Sequence, residues 1–119
     1  MTDPATVARA YLAAWNEPDD ANRLALMSDW TDHARYVDPI MQGEGRAGIA
    51  GMIAAARTQF PGHGFTLRGV PDGHGDHVRF SWTLAPHGGA PVAQGTDMVR
   101  LDSDGRIDVV IGFLDGGAA

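Results

Sequence analysis

Apolar positions recur at helical spacing near the start of the chain. Val7, Tyr11, Ala14 and Trp15 fall on one face, which predicts a helix from Pro4 to about Asn16. Pro4 suits a first helical turn, with Asp3 as its cap. Asn16-Glu17-Pro18 breaks the pattern. Asp19 or Asp20 caps a second helix running to about Asp29 and burying Leu24, Met27 and Trp30. Ala34-Arg35-Tyr36-Val37-Asp38 then alternates as a short strand, with Tyr36 and Asp38 on one face. Pro39 cannot continue a central ladder, and Met41 to Gly45 reads as a loop. A third helix spans about Arg46 to Gln59, with Ile49, Met52, Ile53, Ala56 and Phe60 inward, and Pro61-Gly62 ends it.

From there the period is two. Phe65, Leu67 and Gly69 mark one strand, closed by the turn cluster Pro71-Asp72-Gly73-His74-Gly75. Val78, Phe80, Trp82 and Leu84 alternate with Arg79, Ser81 and Thr83, a strand with one polar face. Pro86-His87-Gly88-Gly89 is a hairpin loop, followed by a strand from about Val92 to Leu101. Asp102-Ser103-Asp104-Gly105 is a strong hairpin turn. The last strand, Arg106 to Leu114, is apolar on both faces: Ile107, Val109, Ile111 and Phe113 on one, Val110, Gly112 and Leu114 on the other. A strand apolar on both sides in so short a chain implies a covered outer surface, a candidate dimer interface. Gly116 to Ala119 reads as a frayed tail. Helices gathered on one side of a curved sheet make an α+β architecture, and a bent sheet closed by helices leaves a cone with room for a pocket.

The 119 residues are enough for one domain, 1–119, with one core. With 44% hydrophobic and 20% charged residues, the composition is that of a soluble globular protein. No apolar run approaches a membrane span, and the acidic N-terminus lacks the basic and apolar regions of a signal peptide, so a cytoplasmic location is expected. There is no cysteine, which excludes disulfides, thiol nucleophiles and Cys-ligated zinc. All nine cations are arginines, scattered along a chain of net charge −6; without lysine there is no Schiff base, and without a basic patch no nucleic-acid partner is expected.

Against this background three polar groups stand on apolar faces. Asp97 shares its face with Gly95, Val99 and Leu101. A mid-strand carboxylate is disfavoured in a sheet and costly to bury; in an apolar pocket its pKa rises and it can remain protonated. Its ordinary alternative is pairing with an arginine or a place at the rim. Asp38, beside Tyr36 and before Pro39, can accept a proton at a pocket mouth, or simply start a turn. Tyr11, on the buried face of the first helix, needs a partner for its hydroxyl, or is core packing. Together the three suit proton transfer. Other constellations are weaker. Gly43-Glu44-Gly45-Arg46-Ala47-Gly48 matches G-x-G-x-x-G, but the βαβ unit and the downstream acidic ribose ligand are missing. None of the five histidines forms an i, i+4 pair on a helix, so no metal site is expected. Ser28, Ser81 and Ser103 lack a nucleophile elbow.

The stretches Ala8-Arg9-Ala10-Tyr11-Leu12, Trp30 to Pro39, Gly45-Arg46-Ala47-Gly48-Ile49 and Thr96 to Ile107 resemble, in order and spacing, the nuclear-transport-factor-2-like superfamily and its SnoaL-like, ketosteroid-isomerase-like branch. The resemblance implies a cone-shaped barrel, with three N-terminal helices packed on a curved, mainly antiparallel sheet. It implies Asp38 as the base that shuttles a proton between carbons, with Tyr11 and a protonated Asp97 as oxyanion donors, and no cofactor. Positions matching the isomerases' supporting tyrosines hold Trp30 and Ile53, and Leu114 replaces a pocket tryptophan. Epoxide hydrolases of the superfamily use an aspartate–arginine–aspartate set, whereas Arg35 and Arg100 here point away from the pocket. Expected pocket-lining residues are Tyr36, Phe80, Trp82, Val99, Val110 and Leu114, with Trp30 and Ile53. The implied function is cofactor-independent acid–base chemistry on a small hydrophobic molecule, an isomerisation or a polyketide-type cyclisation, in a homodimer. The alternative is a non-catalytic ligand-binding or dimeric scaffolding module.

Overall fold

The N-terminal helix begins where its cap is built. A computed structural model describes residues 3–115, and in it α1 (Pro4–Asn16) starts directly after Asp3, whose carboxylate accepts from the Thr6 amide at 3.0 Å. Val7, Ala8, Tyr11, Leu12, Ala14 and Trp15 are buried on one face. The second helix, α2 (Asp20–Leu26), is capped by Asp19 and stops short of Asp29. It buries Met27 just past its end, and Trp30 is also buried, but Leu24 lies 42% exposed. Arg23 takes the inward place instead. The carbonyls at the end of α1 have no helical partner, and Arg23 supplies donors to Ala14 and Glu17 while its Nη1 pairs with Asp20 at 2.8 Å.

Strand β1 (Trp30–Val37) begins four residues before the expected Ala34 and ends just before Asp38. Where a loop was expected, β2 (Gln42–Glu44) pairs antiparallel with β1. Helix α3 (Arg46–Gln59) has the expected bounds, entered through Gly45 at φ 75°, a conformation that favours glycine. Ile49, Ala50 and Ile53 are fully inward, but Phe60 is 42% exposed. Two helices precede β1 and the third follows β2, so the helices and the first strand keep the order read from the sequence.

Strands β3 (His63–His74), β4 (His77–Pro86), β5 (Ala93–Leu101) and β6 (Ile107–Leu114) form the antiparallel meander. The expected turn at Pro71–Gly75 is mostly strand. A register irregularity between Arg68 and Asp72 absorbs Pro71, and β3 is an edge strand, where a missing N–H costs no ladder bond. Sheet order is β2-β1-β6-β5-β4-β3, with β1 and β6 parallel. Helix α1 packs on β3 and β4, α3 on β1 and β2, and α2 joins the two helices. The result is an α+β fold with helices on one face of a curved, mostly antiparallel sheet. A second irregularity, at Arg100/Leu101, turns Ile107 inward beside Leu101, so it does not share the outer face with Val109, Ile111 and Phe113 as expected. No described helix is long and apolar enough to cross a membrane. The tail expected from Gly116 lies outside the described residues.

Candidate functional site

Seven elements, α1, α3, β1, β3, β4, β5 and β6, line one cavity. Alternation along β5 turns Gly95, Asp97 and Val99 inward. Gly112 of β6 stands directly opposite Asp97. On the other side Trp82 of β4 stands opposite Gly95, and a Cβ on Gly95 would come within 2.2 Å of the indole. The bare glycine therefore lets the Trp82 ring lie across the sheet, where its Nε1–H donates to Asp97 Oδ1 at 3.2 Å. Helix α1 delivers Tyr11 from above, and its hydroxyl donates to Asp97 Oδ2 at 2.7 Å. Asp97 is 3% exposed and Tyr11 1%. The end of β1 brings a second pair: the Tyr36 hydroxyl donates to Asp38 Oδ2 at 2.6 Å. Asp38 Oδ1 accepts from the amides of Ile40 and Met41 at 2.7 and 2.8 Å. Gly112 lies between the two pairs. A Cβ there would sit 2.9 Å from Asp97 Oδ1, 3.2 Å from Asp38 Cβ and 3.6 Å from the Tyr36 hydroxyl.

Burial pushes the Asp97 carboxyl up to about 6, against the pull of its hydrogen bonds from Tyr11 and Trp82; the Asp38 and Asp115 charges add to the rise. Burial and then the Asp97 charge hold the Tyr11 hydroxyl well above its ordinary value. The same two causes, followed by the bond to Asp38, raise Tyr36. Both phenols are therefore proton carriers, never phenolates, at any ordinary pH.

The cavity measures about 140 Å³ and is lined by Tyr11, Tyr36, Asp38, Trp82, Asp97 and Leu114 from the expected set. Phe80, Val99, Val110, Trp30 and Ile53 do not reach it. Trp30 stacks on the Tyr11 ring at 5.7 Å, and Phe80 meets that ring edge-on at 5.1 Å. Val99, Val110 and Ile53 are wholly buried in the core. They do face inward, but they belong to the packed core cluster rather than to the cavity wall. Sequence reasoning missed Trp15, Phe65, Met41, Phe60, Arg57 and His63 as lining residues. Trp15 was legible, since it stands one turn after Tyr11 on the same helical face. Arg35 and Arg100 point away from the cavity, as expected: Arg35 is exposed and Arg100 pairs with Asp108 at 2.9 Å. Among the described residues no group of three or more His, Asp or Glu side chains could hold a metal ion.

Residues 8–110 match the model of the SnoaL-like domain family. No curated protein matches the chain. Among solved structures, a SnoaL-like family protein from Agrobacterium tumefaciens that carries a provisional isomerase designation is 57% identical, with a TM-score of 0.93, covering 98% of this chain and 100% of that one. A protein of unknown function from Exiguobacterium with the nuclear-transport-factor-2-like fold is 21% identical, with a TM-score of 0.72 over 92% of this chain and 98% of its own. A ketosteroid-isomerase-like fold from Catenulispora acidiphila, solved with trimethylamine, is 20% identical, with a TM-score of 0.73 over 89% and 82%. The last two likenesses concern the fold alone.

Proposed function

This chain belongs to the SnoaL-like domain family, and from that premise we propose that it is a cofactor-independent acid–base enzyme acting beside a carbonyl of a small hydrophobic molecule. The supporting observation is the convergence of Tyr11, Asp97 and Asp38 on one apolar cavity, with Gly112 between the carboxylates. In this reading the fold is a cone whose open end is the cavity mouth. Asp38 takes a proton from the carbon next to the carbonyl and returns it to another carbon, so the substrate is isomerised with no net proton change. The enolate oxygen lies against Tyr11 and Asp97. Counting protons sets the condition for that role. With Asp97 ionised, the one Tyr11 proton is held by the carboxylate and none is left for the substrate. With Asp97 protonated, one proton bridges the pair and the other is free to donate. Oxyanion donors of this kind contribute about 10²–10³ in rate, and acid–base catalysis about 10²–10⁴.

A cavity of about 140 Å³ resembles in size the engineered site of about 150 Å³ that admits benzene, so the reading favours single-ring substrates over steroids. A polyketide-type cyclisation would use the same carbanion. The alternative, a non-catalytic ligand-binding or scaffolding module, draws support from Asp97 having both oxygens already served by donors. The proposed assembly is a cytoplasmic homodimer, with Val109, Ile111 and the 57% exposed Phe113 forming the covered sheet face. The deciding experiment is conversion of cyclohex-3-enone to its conjugated isomer, followed by ultraviolet absorbance. The protein should accelerate it, and Asp38→Asn should lose at least about a thousandfold in kcat with an unchanged fold. A loss under tenfold removes Asp38 as the base. Saturable binding without turnover favours the non-catalytic alternative.

A further inference from the structure

The exposure of the lining residues gives the cavity a direction. Its inner end is Tyr11 and Asp97, at 1% and 3% exposure; its rim is Phe60 and Ile40, at 42% and 73%. On that lining stands one arginine, Arg57, from the last turn of α3. Its Nη1 donates to the Trp15 carbonyl at 3.0 Å, which fixes the side chain but engages only one of the five guanidinium donors. Six of the nine arginines are held in ion pairs. Arg57 makes none among the described residues, although it is half-buried, and the two other unpaired arginines, Arg9 and Arg35, are exposed and off the cavity. A half-buried cation without a counter-ion calls for one. The Trp15 ring, also on the cavity wall, carries a second unmet demand: its buried Nε1–H has no acceptor among the described residues.

We propose that the cavity takes an amphipathic ligand, one apolar ring on a short arm ending in a carboxylate, and that Arg57 selects it by binding the anionic end. The inference rests on the cavity being a site for a small hydrophobic molecule. Asp38 lines the same cavity and repels an anion, and the inner end at Asp97 is buried, where an anionic group is costly to place. Both effects therefore set the orientation, with the charged end at Arg57 and the ring inward. A guanidinium matches a carboxylate in two parallel bonds.

The test uses 3-phenylpropanoate and its uncharged amide, titrated while the indole N–H resonances of Trp15 and Trp82 are observed. The carboxylate should bind at least about tenfold more tightly than the amide. Arg57→Gln should abolish that preference and leave amide affinity within about twofold, which also reports that the cavity is intact. Arg57→Lys should keep most of the preference. Equal binding of the two probes by the unaltered protein, or a preference that survives Arg57→Gln, overturns the role of Arg57. Binding of neither probe overturns the cavity reading itself, and the selection with it.

Discussion

Replacing Asp97 by asparagine should make the stability difference from the parent rise with pH, by an amount that can be calculated. The folded chain holds the Asp97 proton up to about pH 6, whereas an ordinary aspartate releases it near 3.8. Between those values the folded state binds more protons than the unfolded one, so the contribution of this residue to stability falls as pH rises. It is intact below the unfolded value and is lost as pH climbs through the folded one. A shift of roughly two units is worth about 3 kcal/mol at full extent, of which about 2 kcal/mol develops between pH 4 and pH 8. Asp97→Asn removes this titration, and any altered hydrogen bond to Tyr11 or Trp82 is a constant offset. The assay is urea unfolding of both proteins at pH 4, 5, 6, 7 and 8. With slopes of about 1–3 kcal/mol per molar urea, the gap between midpoints should move by about 1 M in favour of Asp97→Asn over that range. A gap that stays constant from pH 4 to pH 8 refutes the reasoning, since it would mean that burial does not oppose the charge.

Two further substitutions probe the same site. Tyr11→Phe deletes the hydroxyl that stabilises the charged form of Asp97. The carboxyl should then titrate at a higher pH, read by its carbon resonance, and stability should drop by about 1–3 kcal/mol from the lost partner; an unmoved titration shows that the bond does not tune Asp97. Gly112→Ala places a methyl group 2.9 Å from Asp97 Oδ1 and 3.2 Å from Asp38 Cβ. It should cost about 1–3 kcal/mol by overpacking in chemical unfolding, and an unchanged midpoint would show that the two carboxylates can part freely.

Local signals carried much of this fold. The Asp3-Pro4 start of α1, the Pro61-Gly62 stop after α3 and the alternation of β4 are each set by neighbouring residues, and each matches the structure. Asp97 was legible because Val99 and Leu101 marked its face as the apolar one. The misses have a common cause in tertiary context. Arg23 goes inward because of orphan carbonyls on another helix. Pro71 sits in a strand because that strand is at the edge. Alternation told which side of the sheet Val99 and Val110 face, but not that they pack in the core rather than on the cavity wall. The Tyr36–Asp38 bond lies within a period-two spacing and was readable. The reach of Trp82 to Asp97 was not, because it depends on Gly95 lying opposite the indole, a register between strands.

The parallel pairing of β1 with β6 also sets an order of events. Asp38 follows the first strand of the sheet, while Gly112, which stands between the two carboxylates, lies on the last. On a ribosome, β1 emerges early and must wait for nearly the whole chain before its central neighbour exists. Until then β1 and β5 both present open edges, which are the surfaces most prone to errant pairing. Closing so long a loop is slow compared with forming the hairpins of the meander. Until that last strand docks, the cavity lacks Leu114 from its wall and the two carboxylates lack the Gly112 backbone between them.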